Sequence, residues 1–261
     1  MQRRLNQAIF FLLLAFIIIP LVVPVIYSFS LFWQGLWPEG FTLKWYQLIL
    51  SDPKYKPAAI VSLIVASSAV LLNIFISVPA AYTVTRLKGF LGNFIDTTFQ
   101  VLPLVIPPLI VGLALLQSFT REPLALTGTV YIVIIAHTLL GFPFMFRSVL
   151  ASFRTIDERI LSEAAASLGA SLWQRLWYVV IPNVMPGILS GSLLVFAISM
   201  GEFEVTSMVA GFKAQTFPLV LFQQLRNDMR IASAVSAILV YISVASFLLI
   251  NYISSKIKSS T

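Results

Sequence analysis

The sequence predicts an all-α integral membrane protein with six transmembrane helices. Of its 261 residues, 59% are hydrophobic and only 10% are charged, whereas soluble domains carry about 25% charged residues. Continuous apolar runs exclude a membrane β-barrel, whose strands alternate over about ten residues. The composition argues against a cytosolic enzyme, and it excludes a disordered chain and, because cysteine is absent, a disulfide scaffold. Six uncharged runs each exceed the roughly 20 residues that a helix needs to cross a bilayer: Leu5–Pro38, Pro57–Thr85, Thr97–Thr120, Pro123–Phe146, Leu176–Gly201 and Ile231–Ser255.

The first run is too long for a signal sequence and lacks a cleavage pattern of small residues, so we expect a retained helix. Pro20 and Pro24 lie within it, where neighbouring helices can satisfy the carbonyl groups that a bend frees. In the third span, Pro103, Pro107 and Pro108 predict either a broken helix beside a transport path or a local effect on packing. We predict one membrane domain over residues 1–261, with spans at about 8–32, 58–84, 97–119, 129–146, 184–201 and 231–253.

Basic residues indicate that both chain termini are cytoplasmic, because cytoplasmic loops are enriched in Lys and Arg. The absence of a basic helix or a basic-aromatic motif argues against nucleic acid as the partner behind the net charge of +7. If the six spans alternate from the inside, ten of the 17 basic residues lie inside: Arg3, Arg4, Arg86, Lys88, Arg147, Arg154, Arg159, Arg175, Lys256 and Lys258.

The cytoplasmic loop between the fourth and fifth spans has the pattern of two short capped helices, a hairpin at about 155–181. Thr155 with Glu158, and Ser171 with Gln174, each form the pattern of a capping box at a helix start. Gly169 stands where a left-handed turn ends a helix without steric cost. Between the first cap and the glycine, apolar residues recur every four positions, which predicts a helix with one buried face: Ile156, Ile160, Ala164 and Leu168.

Two roles fit this hairpin. It is a connector at the membrane surface, anchored by Trp173, Trp177 and Tyr178 at the lipid interface, or it is a docking element for another protein. The run Ala164–Ala166 would give the second role a smooth face, and Gly169 would let the tip approach another backbone closely.

The hairpin resembles the cytoplasmic signature of the permease subunits of binding-protein-dependent ABC importers. The matching residues are Glu163-Ala164-Ala165, Gly169 at a fixed offset, and the close Val179-Val180-Ile181-Pro182, in which Val179 and Ile181 are conservative replacements. The segments Phe41–Tyr46 and Gly201–Gly211 are similar to the polyamine-type branch of that family. This branch contains the spermidine/putrescine permeases. The same branch also includes ferric-ion, thiamine and phosphonate importers.

The resemblance implies a type I ABC importer permease in the bacterial plasma (inner) membrane. It implies that the hairpin is a coupling helix, in which Glu163, Ala164, Ala165, Gly169 and Pro182 dock an ATPase. The implied partners are two ATP-binding subunits, a second permease that is usually different, an external solute-binding protein and membrane lipid. ATP and Mg would be used by the ATP-binding subunits, since this chain lacks a phosphate-binding Gly-x-x-x-x-Gly-Lys-Ser/Thr loop. We therefore expect no catalytic, cofactor or metal site in this chain, which is not by itself an enzyme.

The segment after the fifth span contains the candidates for the substrate path. Met200, Glu202, Phe203 and Glu204 lie where the chain leaves the apolar region, and carboxylates at such a depth are functional candidates. If they line the path, they favour a polyamine or a similar small organic cation. The alternative is that they are solvated, or that they pair with Arg226 and Arg230.

The remaining polar residues support no enzyme, because the chain has one histidine and no carboxylate cluster inside a span. His137 is predicted first as a hydrogen-bonding group between helices, and a proton relay is the alternative. Composition alone also allows a stand-alone secondary transporter or channel, but such a protein would carry buried ion-coupling carboxylates or an inverted repeat. The signature hairpin favours the importer.

Overall fold

The computed structural model is a helical bundle and describes residues 2–33, 35, 37–87 and 89–259, so that Lys88, one of the predicted cytoplasmic charges, lies outside the described residues. Within them, five helices are long and apolar enough to cross a membrane. They are α1 (Gln2–Ser28), α3 (Tyr55–Arg86), α6 (Val130–Thr155), a run over Leu172–Gly201 that ends in α9 (Ile181–Gly201), and α12 (Met229–Ser259). The prediction of an all-α membrane fold is confirmed.

Shorter elements connect these helices. They are β1 (Ser30–Phe32), β2 (Glu39–Phe41), α2 (Lys44–Ser51), α4 (Gly89–Val105), α5 (Pro108–Phe119), α7 (Glu158–Ser167), α8 (Leu172–Arg175), α10 (Glu204–Val209) and α11 (Phe217–Gln224). The two strands form an antiparallel pair in which Ser30 lies opposite Phe41.

The sequence predicts a third span at about 97–119, with its prolines either breaking the helix or shaping local packing. Two shorter helices, α4 and α5, cover this region and are separated at Ile106 and Pro107. Pro107 has an extended backbone (ψ 138°) and Pro108 begins α5. A residue that precedes a proline avoids the helical region, and proline itself lacks the N–H that would continue the helix. The predicted break is therefore confirmed, and it removes the third span from the set of uninterrupted helices.

The centre of the bundle is α6, which packs against both α3 and α9. Glycines allow the close approach of these helices. A Cβ on Gly191 would lie 2.6 Å from Sδ of Met145, and a Cβ on Gly141 would lie 2.8 Å from Cγ1 of Val195. Small residues at helix interfaces serve this purpose in membranes, where helices associate by close packing. In contrast, the apolar window of α1 is not buried in this chain.

Contacts of α3 define the two ends of the bundle. At one end, Arg86 of α3 contacts Glu158 of α7, and we call this the hairpin end. At the other, the ring of Tyr55 packs edge-on against Phe217 of α11, and we call this the loop end. The loop end also contains α10, α2 and the strands, since Nε1 of Trp45 donates to the carbonyl of Ser30.

Candidate functional site

The first capping box of the hairpin does not form. Thr155 is the last residue of α6, and its hydroxyl donates to the carbonyl of Ser152. The cap of α7 is Asp157, whose carboxylate accepts from the N–H of Ile160 at 3.3 Å. Glu158 is not available for a capping box because its carboxylate binds Arg86. A partner 72 residues away has thus displaced the local interaction that the spacing predicts.

The glycine turn forms as predicted. Gly169 has φ +83°, and its N–H donates to the carbonyl of Ala166 at 2.9 Å. The N–H of Ala170 donates to the carbonyl of Ala165 at 3.0 Å. These two bonds are a Schellman motif, which satisfies the free carbonyl groups at the end of α7. No atom lies within 4 Å of a Cβ built on Gly169, so its outer side is open.

The second helix of the hairpin begins as predicted but does not end as predicted. Ser171 and Gln174 form the reciprocal capping box. However, α8 continues without a break through a π-helical turn, Leu176–Val180, into α9. The N–H of Ile181 bonds to the carbonyl of Leu176, because Pro182 cannot donate and crowds the preceding turn. A continuous helical connection therefore joins the hairpin to a membrane-spanning helix.

The predicted apolar stripe of α7 is not buried within this chain. Ile160 is 62% exposed and Leu168 is 89% exposed, while Ile156 is partly buried against α6. Leu172 and Trp173 add further exposed apolar surface on the adjoining turn. Of the signature residues, Glu163, Ala164, Gly169 and Pro182 are exposed and Ala165 is partly buried. The expected burial was wrong for the isolated chain because none of its described residues packs over this face.

Two ion pairs line a cavity of about 350 Å³ at the hairpin end. Nη2 of Arg86 lies 2.8 and 2.7 Å from the two carboxylate oxygens of Glu158. Nη2 of Arg154 lies 2.6 Å from Oδ2 of Asp96, which joins α6 to α4. Arg86 carries no local sequence signal for this role, because its partner is distant in the chain.

At the loop end, Glu202 belongs to a buried polar network. Its side chain is 8% exposed, and its carboxylate accepts from the N–H of Val205 at 2.8 Å and from the N–H and hydroxyl of Thr206 at 3.2 and 2.8 Å. Nε2 of His137 lies 3.4 Å from the same carboxylate and 2.9 Å from Oγ1 of Thr206. Nδ1 of His137 lies 2.6 Å from Oγ of Ser199. This carboxylate thus caps the start of α10 and ties it to α6.

The other path candidates have different surroundings. Met200 is buried, and the ring of Phe203 stacks on Phe222 with centroids 4.6 Å apart. Glu204 is partly exposed, and the described residues offer its carboxylate no hydrogen bond or ion pair. That these residues line a substrate path stays a prediction. If they do, Glu204 is the better candidate to contact a substrate, because the described residues leave its carboxylate without a hydrogen bond or ion pair.

Among the described residues, neither Glu202 nor Glu204 forms the alternative pair with Arg226 or Arg230. Arg230 binds Asp228 instead, with Nη2 2.9 Å from Oδ2. Hydrogen bonds from Arg230 hold the pKa of Asp228 below its usual value. Among the described residues, no cluster of three His, Asp or Glu could hold a metal ion.

The structure therefore brings the predicted site residues together in two groups rather than one. The signature residues Glu163, Ala164, Ala165, Gly169 and Pro182 lie at the hairpin end. The path candidates lie at the opposite end with His137, which the sequence treats as a separate residue. Ser199 and Thr206 were missed because hydroxyl residues in a helix have no distinctive pattern.

A bundle of spanning helices with an exposed hairpin, built around the signature spacing, defines a multi-pass membrane permease. The chain belongs to the family described as binding-protein-dependent transport system inner membrane component, whose model matches residues 73–259. The predicted family is confirmed.

Related permeases differ in the substrates that their names give. The putative 2-aminoethylphosphonate transport system permease protein PhnV of Salmonella typhimurium is 31% identical over 247 residues, which are 94% of this chain and 92% of that protein. The molybdenum transport system permease protein ModB of Mycobacterium tuberculosis is 30% identical over 79% of this chain and 80% of its own length. The spermidine/putrescine transport system permease protein PotC of Haemophilus influenzae is 27% identical over 97% of both chains.

Two solved structures share the fold. A chain of a bacterial alginate ABC transporter, crystallised with a periplasmic protein that holds an alginate pentasaccharide, matches 98% of this chain and 93% of its own length with a TM-score of 0.72. A chain of the inward-facing MetNI methionine ABC transporter matches 83% of this chain and 99% of its own length with a TM-score of 0.62. Both are 16% identical in sequence, so they establish the fold alone.

Proposed function

We propose that this chain forms half of the translocation path of an ABC importer and couples that path to ATP hydrolysis by a separate subunit. The observation that carries the proposal is the exposed apolar face of the α7–α8 hairpin. Ile160, Leu168, Leu172 and Trp173 together expose apolar surface at one end of the bundle. Exposed clusters of this kind mark sites of interaction with protein or membrane.

A protein partner fits this face better than a lipid surface does. Helices that lie on membranes have a polar face rich in Lys and Arg, whereas α7 contains two glutamates and one arginine and is capped by Asp157. The exposed Ala164 adds no bulk, so another backbone can come close. The continuous helical connection to α9 would carry a displacement of the hairpin into the membrane.

The partners follow from this function. Two ATP-binding subunits would dock on the hairpins of this chain and of a second permease, which we expect to differ from it, and an external solute-binding protein would deliver substrate at the loop end. The hairpin end and both chain termini would be cytoplasmic, in the bacterial inner membrane. ATP and Mg would bind the partner subunits, and this chain would have no catalytic role of its own.

Purification of the tagged chain from its native membrane in mild detergent tests this function, with co-purified proteins identified by mass spectrometry. We expect an ATPase and a second permease to accompany the wild type. Leu168→Glu should weaken ATPase retention about tenfold or more, since a leucine that becomes buried contributes about 2 kcal/mol. The matched control is Leu124→Glu, because Leu124 is also exposed but lies in the loop before α6. A stable wild type without an ATPase would contradict the proposal and favour a stand-alone transporter or channel.

For the substrate, we propose a small organic molecule that carries an ammonium group, with a polyamine as the first candidate. Spermidine, putrescine and 2-aminoethylphosphonate, which are named for two of the relatives, share a primary ammonium. The Glu204 carboxylate supports this choice, since it is partly exposed at the loop end and has no partner among the described residues. Ferric ion, thiamine and phosphonates other than the amino compound are the alternatives.

Uptake of labelled putrescine, 2-aminoethylphosphonate and molybdate by cells that express the complete importer tests the substrate class. We expect uptake of an ammonium compound and not of molybdate. Glu204→Gln should raise the substrate concentration for half-maximal uptake about fivefold, as expected for loss of one partly screened charge contact. Glu39→Gln is the control, because Glu39 is an exposed carboxylate in β2 at the same end. Uptake of molybdate alone would contradict the ammonium proposal.

A further inference from the structure

We propose that Arg86 and Glu158 are a positioning pair that transmits displacement of the hairpin to α3, and through α3 to the loop end. The inference rests on the proposed function, in which an ATPase moves the hairpin. It assigns to two residues outside the signature spacing the task of connecting the docking element to a helix that is not its neighbour in the chain.

The geometry of the pair suits this task. Nη2 of Arg86 contacts both oxygens of Glu158, at 2.8 and 2.7 Å, and the carboxylate is largely buried. Hydrogen bonds between a guanidinium and a carboxylate are charge-assisted and are stronger than those between neutral groups. The guanidinium also lies over the ring of Tyr82, 4.7 Å from its centroid, which limits its freedom.

Helix electrostatics strengthens the same connection. Arg86 is in the last turn of α3, where a positive charge is favoured, and Glu158 is in the first turn of α7, where a negative charge is favoured. The pair thus joins two helix ends of complementary sign. A displacement of α7 that separated these groups would leave a largely buried carboxylate without its partner, so α3 is expected to follow.

Two further contacts between described residues attach the hairpin to elements that adjoin it in the chain. Ile156 packs against the core at the end of α6, and Nη1 of Arg175 lies 3.4 Å from Oγ of Ser162, which holds α8 against α7. These contacts keep the hairpin together and connect it to α6 and α9. The Arg86–Glu158 pair adds α3, a helix that packs against both of them.

At its far end, α3 contacts the segment that follows the path candidates. Oγ of Ser62 accepts from the N–H of Phe217 at 2.8 Å in a buried position, and the ring of Tyr55 packs edge-on against Phe217. The 32 residues of α3 extend about 48 Å at about 1.5 Å per residue. One helix therefore connects the hairpin to α11, which lies beyond α10 and Glu202 in the chain.

The test is a double-variant cycle in the complete importer, reconstituted in proteoliposomes, with substrate uptake and ATP hydrolysis measured on the same preparation. Arg86→Gln and Glu158→Gln should each retain the ATPase and its hydrolysis but lower the number of substrate molecules taken up per ATP about tenfold, within the range of measured coupling between sites. Because the two residues act through one another, the double variant should lose no more than either single variant.

Arg154→Gln is the matched control. Arg154 also forms an ion pair that lines the cavity, but with Asp96 of α4 rather than with α7. Its uptake per ATP should stay within about twofold of the wild type, since the Arg154–Asp96 pair joins α6 to α4 and does not involve α7. An equal loss in this control would show a general effect of charge in the cavity and would overturn the proposal.

Two further outcomes separate this inference from the proposed function. If the Arg86 and Glu158 variants hold the ATPase and transport normally, or if their losses multiply in the double variant, the positioning role is wrong while the importer function stands. If the wild-type complex contains no ATPase, the proposed function itself fails, and the positioning role fails with it.

Discussion

Replacing Gly169 with Asp is expected to remove most of the ATPase from the purified complex and to abolish ATP-driven uptake. The residue has φ +83°, where a side chain costs about 1 kcal/mol or more in backbone strain. The new carboxylate would also face the negative end of the α7 helix dipole. The hairpin can escape both costs by unwinding its turn, but the docked form requires that turn. Docking should therefore weaken at least about tenfold, which corresponds to about 1.4 kcal/mol.

Gly89→Asp is the control for this experiment. Gly89 also has a positive φ (+71°) and no atom within 4 Å of a built Cβ. It begins α4, at the hairpin end of the bundle but outside the α7–α8 hairpin, and an acidic residue is favoured at a helix start. ATPase content is measured by mass spectrometry and uptake in proteoliposomes. A Gly169→Asp complex with normal ATPase content and normal uptake would contradict the coupling role of the hairpin.

Replacing Glu202 with Ala is expected to destabilise the chain by about 3 kcal/mol, because it removes one member of a buried charged network. The N–H groups of Val205 and Thr206 would lose their acceptor, and His137 would lose a neighbour 3.4 Å away. Each buried polar group left without a partner costs about 1–3 kcal/mol. Thermal denaturation of the purified complex in detergent should show a clear fall in midpoint temperature.

Glu204→Ala, two residues further on, is the matched comparison for stability. Its carboxylate has no partner among the described residues and is partly exposed, so the loss should stay below about 0.5 kcal/mol. The stability loss of Glu202→Gln should lie between those of the two Ala variants. The amide oxygen of Gln can still accept from the N–H of Val205, but its NH₂ group cannot accept a hydrogen bond from Thr206. Equal stability of Glu202→Ala and Glu204→Ala would show that the network does not hold α10 in place.

Glu202 and Glu204 are thus expected to have different roles, although only Phe203 lies between them in the chain. Sequence position alone makes Glu202 and Glu204 equivalent candidates for the substrate path. Burial and hydrogen bonding distinguish them, because the described residues donate hydrogen bonds to the carboxylate of Glu202 and donate none to that of Glu204. We expect Glu202 variants to act chiefly on stability and Glu204 variants chiefly on substrate affinity.

By itself, the sequence determined the class of protein and the positions in the hairpin where the first helix ends and the second begins. Long uncharged runs identify membrane helices because a bilayer imposes a length and excludes charge. Gly169 and the Ser171–Gln174 capping box were predictable because each depends on residues within four positions of one another. The break at Ile106–Pro107 was predictable because proline constrains its own φ and the residue before it.

Only the tertiary structure decided the features that depend on distant partners. Glu158 binds Arg86 instead of forming a capping box with Thr155. Glu202 and His137 belong to one polar network that connects α6 to α10. The continuous run from α8 into α9 was also decided there, because packing of the helix outweighs the hydrogen bond that Pro182 removes. Ion pairs and buried hydrogen bonds depend on which helices pack together, and that arrangement is set by the sum of many weak contacts that no short segment of sequence contains.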